Sequence, residues 1–301
     1  RGDFAQGWAG FERRWNSGGP RYPNCPVWTG ESFPGRTLLL YAEQGLGDAI
    51  FFVRYAPLLA ERGGRIVIEC PKPLRRLFQT LRGVSAIFGF GEPAPEFDVQ
   101  ASFFSLPRIF GTTLHQVPHH VPYLGVPEES TVQLPPAGSG RMKVGLVWAC
   151  SGLPLWGQSR SIPLAVLAPL LTLVNVSFYS LQVGPGSRQL RETPFQENII
   201  DLGPQLTDFG ATASAISQLD LVISVDTSAL HVAGALAKPV WVLLPCAPDW
   251  RWMLERTDSP WYPTVRLFRA AKPGDWAGVV AAVREAMINE SQTRQRPPQD
   301  S

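Results

Sequence analysis

The chain has 301 residues, of which 45% are apolar and only 17% charged, so an intrinsically disordered chain is excluded despite 28 Gly and 29 Pro. With 27 Lys and Arg against 25 Asp and Glu, the net charge is +2, which lacks the basic excess of a nucleic-acid-binding protein. No apolar run reaches the roughly 18–20 residues of a membrane span and no charged-then-apolar signal opens the chain, so a cytoplasmic protein with no integral membrane segment is expected.

Phe4, Trp8, Phe11 and Trp15 recur at three- and four-residue steps, which predicts an opening helix whose aromatic face needs a partner. A Pro- and Gly-rich passage from Gly18 to Pro34 follows. An alternation of apolar strands and amphipathic helices then begins: strand Thr37 to Tyr41, turn Gly45 to Asp48, helix Ala49 to Arg62, strand Arg65 to Glu69, helix Pro73 to Leu81, and strands Ala86 to Phe90 and Phe97 to Gln100. Between Gly111 and Gly140 this pattern dissolves into Pro-punctuated sequence ending in a linker-like run from Leu134 to Gly140. A second series follows: strand Lys143 to Trp148, helix Ala165 to Thr172, strands Val176 to Leu181 and Ile199 to Asp201, helix Phe209 to Gln218, strand Leu221 to Val225, a helix from Ser228, strands Val240 to Leu244 and Val265 to Phe268, and a helix Trp276 to Asn289.

This grammar predicts an N-terminal segment over 1–35, Rossmann-like domains over 36–137 and 138–290, and a disordered tail over 291–301. Residue 1 is Arg, so a piece of a longer protein is expected. Cys25, Cys70, Cys150 and Cys246 are spread without a C-x-x-C spacing and are expected to be free thiols. His115, His119 and His120 lie among prolines without a carboxylate partner, so no metal site is expected there.

Open α/β sheets bind ligands at the carboxyl ends of their strands. Three segments fall at such ends. Asp226, Thr227 and Ser228 join a buried strand to a helix that carries His231; free N–H groups and side-chain oxygens at that point suit a phosphate, while ordinary capping is the competing reading. Gln44, Gly45, Gly47 and Asp48 form a G-x-G turn without the third glycine of a dinucleotide fingerprint, Ile50 standing in its place. Asp48 at the following helix start is either a cap or an ionised carboxylate able to take a hydroxyl proton. Arg160 offers a guanidinium for a leaving phosphate. Trp250 and Arg251, in a Trp-rich stretch after a strand, could form a wall of the same cleft or pack the loop on the domain.

Together these segments resemble glycosyltransferase family 9, the ADP-heptose:lipopolysaccharide heptosyltransferases, in the version that follows tetratricopeptide repeats. The runs L-L-L-Y-A-E-Q-G-L-G-D, L-D-L-V-I-S-V-D-T-S-A-L-H-V-A-G-A-L and P-D-W-R-W carry the resemblance, and the opening G-D-F-A-Q-G-W-A-G-F-E-R-R-W is similar to the end of such a repeat array. The resemblance implies a GT-B fold, two Rossmann-like domains facing across a cleft, and inverting transfer from a nucleotide-diphosphate sugar without cofactor or metal. It implies that Asp48 is the base and that Gln44, Gly45 and Gly47 form the acceptor-side loop. Arg160, Asp226, Thr227, Ser228, His231 and Gln182 would hold the donor. Ser228 replaces the family's usual Gly and Ile162 its usual Trp. The implied acceptor is a glycan, a lipopolysaccharide or a protein hydroxyl, with the protein at the inner face of a bacterial membrane. A non-catalytic scaffold and a sugar-nucleotide epimerase of the same fold class are the alternatives.

Overall fold

The computed structural model describes residues 2–129, 132–138, 140–150 and 159–295. The first series forms a four-stranded sheet of β1 (Thr37–Tyr41), β2 (Arg65–Cys70), β3 (Ala86–Gly89) and β4 (Val99–Ser102), in the order β3-β2-β1-β4. The second forms a six-stranded sheet of β5 (Met142–Val147), β6 (Val176–Ser180), β7 (Ile199–Asp201), β8 (Leu221–Val225), β9 (Val240–Leu244) and β10 (Val265–Arg269), in the order β10-β9-β8-β5-β6-β7. Every pairing in both sheets is parallel. Parallel sheets are covered on both faces, which explains the nearly continuous apolar strands. In β1 the faces separate by alternation: Leu38 and Leu40 join the main core, while Leu39 packs with Val67 and Phe88 on the other side. The architecture is GT-B: two such sheets facing across a cleft.

The helices are more broken than their periodicity predicts. The expected helix from Ala49 to Arg62 begins earlier, as α2 (Leu46–Phe52), passes through a 3-10 turn at Val53–Tyr55 and resumes as α3 (Ala56–Ala60). Pro57, at the start of α3, has no N–H to give the Val53 carbonyl, so the α-helical ladder is interrupted there. The next helix shortens to a 3-10 turn and α4 (Arg75–Phe78). A segment not predicted as helical contains α5 (Leu106–Ile109), with Pro107 in its first turn. In the second half, α6 (Ala168–Leu171), α7 (Arg188–Glu192), α8 (Phe209–Ser217) and α9 (Ser228–Ala235) lead to α10 (Trp276–Gln295). α10 runs past Asn289 because nothing before Pro297 breaks it, so the start of the expected tail at Ser291 is helical and 296–301 lies outside the described residues.

The opening aromatic face finds its partner. In α1 (Phe4–Phe11), Phe4 and Trp8 are buried against Trp250 and Trp261 of the second half, while Phe11 stacks on Phe104 of the first with rings 5.3 Å apart. Trp8 also donates its indole N–H to the Thr112 carbonyl at 2.8 Å. Farther on, Trp28 is fully buried and its backbone N–H bonds the Gln100 carbonyl at 2.8 Å, extending the edge of the first sheet beside β4.

Both halves contribute to one continuous core. At its centre lies Arg54, 3% exposed, which donates to the carbonyls of Phe51 and Trp261 at 2.7 Å each and to that of Pro118 at 3.2 Å. Its guanidinium also lies over the Tyr262 ring at 4.4 Å and the Phe51 ring at 4.5 Å. The crossing segment adds backbone bonding, with Tyr123 N–H donating to the Ala235 carbonyl at the end of α9 (3.0 Å).

Candidate active site

A cleft of about 580 Å³ opens at the carboxyl ends of β1, β5, β6 and β8. It is lined from the first half by Gln44, Gly45, Gly47 and Asp48 and from the second by Arg160, Gln182, Asp226, Thr227, Ser228, His231 and Arg251. The topology thus brings together residues as far apart in the chain as Asp48 and Arg251, separated by 203 positions. Trp250, expected as a wall, is placed elsewhere: it packs edge-on against Phe4, Trp8, Phe51 and Trp261 and does not line the cleft. A large apolar ring gains more from burial in this aromatic cluster than from a half-open surface.

The turn after β1 is built by its glycines and Asp48. Asp48 Oδ2 accepts the Gly45 N–H at 3.1 Å, which starts α2 at Leu46. Gly47 lies so close to α9 that a Cβ there would stand 3.0 Å from the His231 ring and 3.5 Å from Ser228 Cα. The absence of a side chain is therefore what lets the starts of α2 and α9 meet across the two halves. Asp48 does serve as a cap, but through one oxygen only; Oδ1 accepts from Arg251 Nη2.

Across the cleft, neither Asp226 nor Thr227 caps α9. Thr227 occupies the cap position in extended conformation with no side-chain bond to the helix, and its hydroxyl meets Ser224 Oγ at 3.1 Å instead. Asp226 Oδ2 lies 3.3 Å from Arg160 Nη1. The N–H groups of the first turn of α9 are thus left without a cap from the residue placed to supply one, beside a cleft that Ser228 and Ala229 line.

Burial pushes the Asp226 carboxyl above the usual carboxylate range, helped by the nearby charge of Asp249 and opposed by Arg160 and Arg251. His231 is buried too, and burial, with the positive charges of Arg251, Arg54 and Arg160, holds its imidazole well below the ordinary histidine value. It is therefore neutral at pH 7, and its 3.9 Å approach from Nε2 to Asp226 Oδ1 is a polar contact rather than an ion pair. Nδ1 meets the Tyr262 hydroxyl at 3.0 Å. A proton on Nε2 would point at Asp226, with the Tyr262 hydroxyl donating to Nδ1. Arg251 is held by carboxylates: burial opposes its charge, but Asp249, Asp48 and Asp226 outweigh it and push its pKa up.

Gln182 departs from its expected role as a donor ligand. Its Oε1 accepts from the N–H groups of Trp148 and Ala149 at 3.1 and 2.9 Å, and its Nε2 donates to the carbonyls of Ala149 and Val183 at 3.0 and 2.9 Å. All four hydrogen-bonding positions of the amide are occupied by backbone, so Gln182 shapes the loops after β5 and β6. Ile162 is buried in the core of the second half and its N–H bonds the Trp148 carbonyl at 2.8 Å. Residues 151–158, which lead to Arg160, lie outside the described residues.

Two features were not legible in the sequence. Arg251 reaches Asp48 of the other half, and Arg76 meets Asp208 at 2.9 Å, also across the halves. Both depend on domain docking, which no local pattern encodes.

No family model matches the chain. It is 27% identical over 320 residues to protein FlbA of Caulobacter vibrioides, covering 95% of this chain and 52% of that protein, so it spans about half the length of that curated relative. Among solved structures, a glycosyl transferase family 9 protein from Veillonella parvula superposes with a TM-score of 0.62 at 10% identity, covering 88% of this chain and 99% of that one. The E. coli heptosyltransferase WaaC with ADP-2-deoxy-2-fluoro heptose gives 0.57 at 12% identity, over 84% and 99%. E. coli ADP-heptose lps heptosyltransferase II gives 0.53 at 15%, over 84% and 99%. The fold of this chain is therefore the GT-B fold of those heptosyltransferases.

Proposed function

We propose that this chain is a glycosyltransferase of family 9 that moves a heptose or related sugar, with inversion, from a nucleotide-diphosphate donor to a hydroxyl of a glycan, lipopolysaccharide or protein. The observation that carries the reading is the single cleft in which Asp48 of one half faces Arg160, Asp226 and the start of α9 in the other. In this reading the acceptor oxygen attacks the anomeric carbon and its proton passes to Asp48. The bond from that carbon to the diphosphate oxygen breaks, its electron pair leaving with the diphosphate. Arg160 and the N–H groups of α9 receive that charge without a metal. Closure of two halves around the reacting centre limits loss of donor to water.

The heptosyltransferase neighbours, including the one solved with an ADP-heptose analogue, support the choice of donor class. The test is a thermal-shift and mass-spectrometric screen of ADP-, UDP- and GDP-activated sugars, followed by turnover with glycan, lipopolysaccharide and peptide acceptors. Asp48→Asn is expected to leave donor affinity within about twofold and to lower turnover by roughly 10²–10⁴. Unchanged turnover would remove Asp48 from the mechanism.

One observation favours a second reading, a non-catalytic scaffold: Asp48 is paired with Arg251 and Asp226 with Arg160. A scaffold would yield no transfer product with any donor and acceptor, and Asp48→Asn would change nothing but stability.

A further inference from the structure

Arg251 stands where the two halves meet around the carboxylate proposed as the base. Its Nη2 donates to Asp48 Oδ1 and its Nη1 to Asp249 Oδ1 at 3.0 Å, and its side chain is 8% exposed. The guanidinium lies over Phe51 and Phe52 of the first half, at 4.7 and 5.6 Å, and over Trp250 of the second, at 4.9 Å. Trp250 is itself wedged against Phe4 and Trp8. A planar cation stacked on rings from both halves and tied to Asp249 has one orientation, unlike an arginine in solvent.

Asp48 is consequently pinned from two directions. The Gly45 N–H of its own turn holds Oδ2, and Arg251 of the other half holds Oδ1. Each oxygen retains a lone pair, and the carboxylate lines the cleft. The backbone is strained on both sides of this contact: Gln44, with φ 58°, precedes Asp48 in its turn, and Met253, with φ 54°, follows Arg251. Non-glycine residues in the left-handed region persist only where surrounding structure imposes them.

We propose that Arg251 is a positioning residue for Asp48, so that docking of the two halves and alignment of the base are one event. The proposal rests on the reading of Asp48 as base. Arg251 acts through the Asp48 carboxylate and needs no contact with the sugar.

The test compares R251M, R251K, D48N and D48N/R251M in the full chain, each checked for folding by circular dichroism and urea titration. The readouts are ADP-heptose affinity by calorimetry and kcat and KM with the acceptor that the unaltered protein turns over fastest. R251M is expected to lower kcat about 100-fold, as a displaced catalytic group does, with the donor KM within about twofold. R251K, which keeps the charge at a single point, should recover part of that loss. D48N/R251M should be no slower than D48N, because the residue through which Arg251 acts is already disabled. A merely structural arginine would lower kcat by the same factor in the D48N background and in the unaltered protein, and that result overturns the proposal, as does a full-rate R251M. If R251M fails to fold, R251K and D48N/R251K carry the same comparison. Absence of turnover by the unaltered protein with every nucleotide sugar overturns the functional reading and the positioning role with it. In that case additive shifts of the urea midpoint in D48N, R251M and the double variant would dismiss the pairing as well, whereas non-additive shifts would leave it as a structural contact only.

Discussion

Arg54 of the first half donates from Nη1 to the carbonyl of Trp261 in the second at 2.7 Å, deep in the shared core. Despite burial its pKa is raised, because the neighbouring Tyr123, Tyr262 and Tyr55 favour its charged form. Replacement by Met removes the donor for three carbonyls, two of them in buried bonds, and the cation beneath the aromatic rings. Arg54→Met is expected to cost about 3–5 kcal/mol of unfolding free energy in urea, far more than a surface arginine. A loss under about 1 kcal/mol would show that the halves are held elsewhere.

The neutral His231 sets a pH dependence of stability. Its folded pKa lies well below the ordinary 6.5, so as pH falls the unfolded chain takes the proton first. Stability from this site is complete above about pH 6.5 and is lost as pH falls from there toward the depressed folded value. Asp226, whose pKa is raised, acts in the opposite sense, losing stability as pH rises from the usual carboxylate value through its folded value. The His231 contribution is therefore read as a difference: between about pH 7.5 and 5.5 the urea midpoint should fall more in the unaltered protein than in His231→Asn. Parallel curves would contradict a buried neutral imidazole.

Gly234 pits two effects of known size against each other. Alanine in a helix is favoured over glycine by about 1 kcal/mol. A Cβ at 234, however, would lie 2.5 Å from Cδ1 of the Tyr262 ring, which is fully buried and bonded to His231. Overpacking of this kind costs about 1–3 kcal/mol, so Gly234→Ala is expected to lower the midpoint of thermal unfolding. A higher midpoint would mean that Tyr262 moves aside at little cost.

Arg160 is partly exposed, lines the cleft and pairs with Asp226 at 3.3 Å, so it stands where a diphosphate would meet it. Arg160→Met is expected to weaken ADP-heptose binding about 10- to 100-fold by calorimetry, the worth of one or two charge-assisted hydrogen bonds. Unaltered affinity would place the diphosphate away from Arg160.

The parallel α/β architecture was legible because strands such as Leu221–Val225 and Val240–Leu244 are short, apolar and bounded by turn residues, and both lie where expected. The cleft was legible for the same reason: strand ends mark it, and Asp48, Asp226 and Arg160 sit at or beside such ends. Helix continuity was less legible, since Pro57 and Pro107 fit first-turn positions in short helices that periodicity either merges or overlooks. Gln182 misled because an amide at a strand end looks available until its four backbone partners are seen. Arg251 and Trp250 are neighbours in the chain, yet one enters the cleft and the other the aromatic cluster, a division made by rings from Phe4, Trp8 and Phe51 that no local pattern reveals.

Two ion pairs among the described residues cross the halves with opposite polarity. At Asp48 and Arg251 the first half supplies the acid; at Arg76 and Asp208 it supplies the base. A shift that carried the second half from one contact to the other would set Asp48 against Asp208 or, in the opposite direction, Arg76 against Arg251, like charge against like. The pairs therefore act as a two-letter address in which each half is written as the complement of the other, and misaligned docking is rejected by repulsion as much as correct docking is rewarded by attraction.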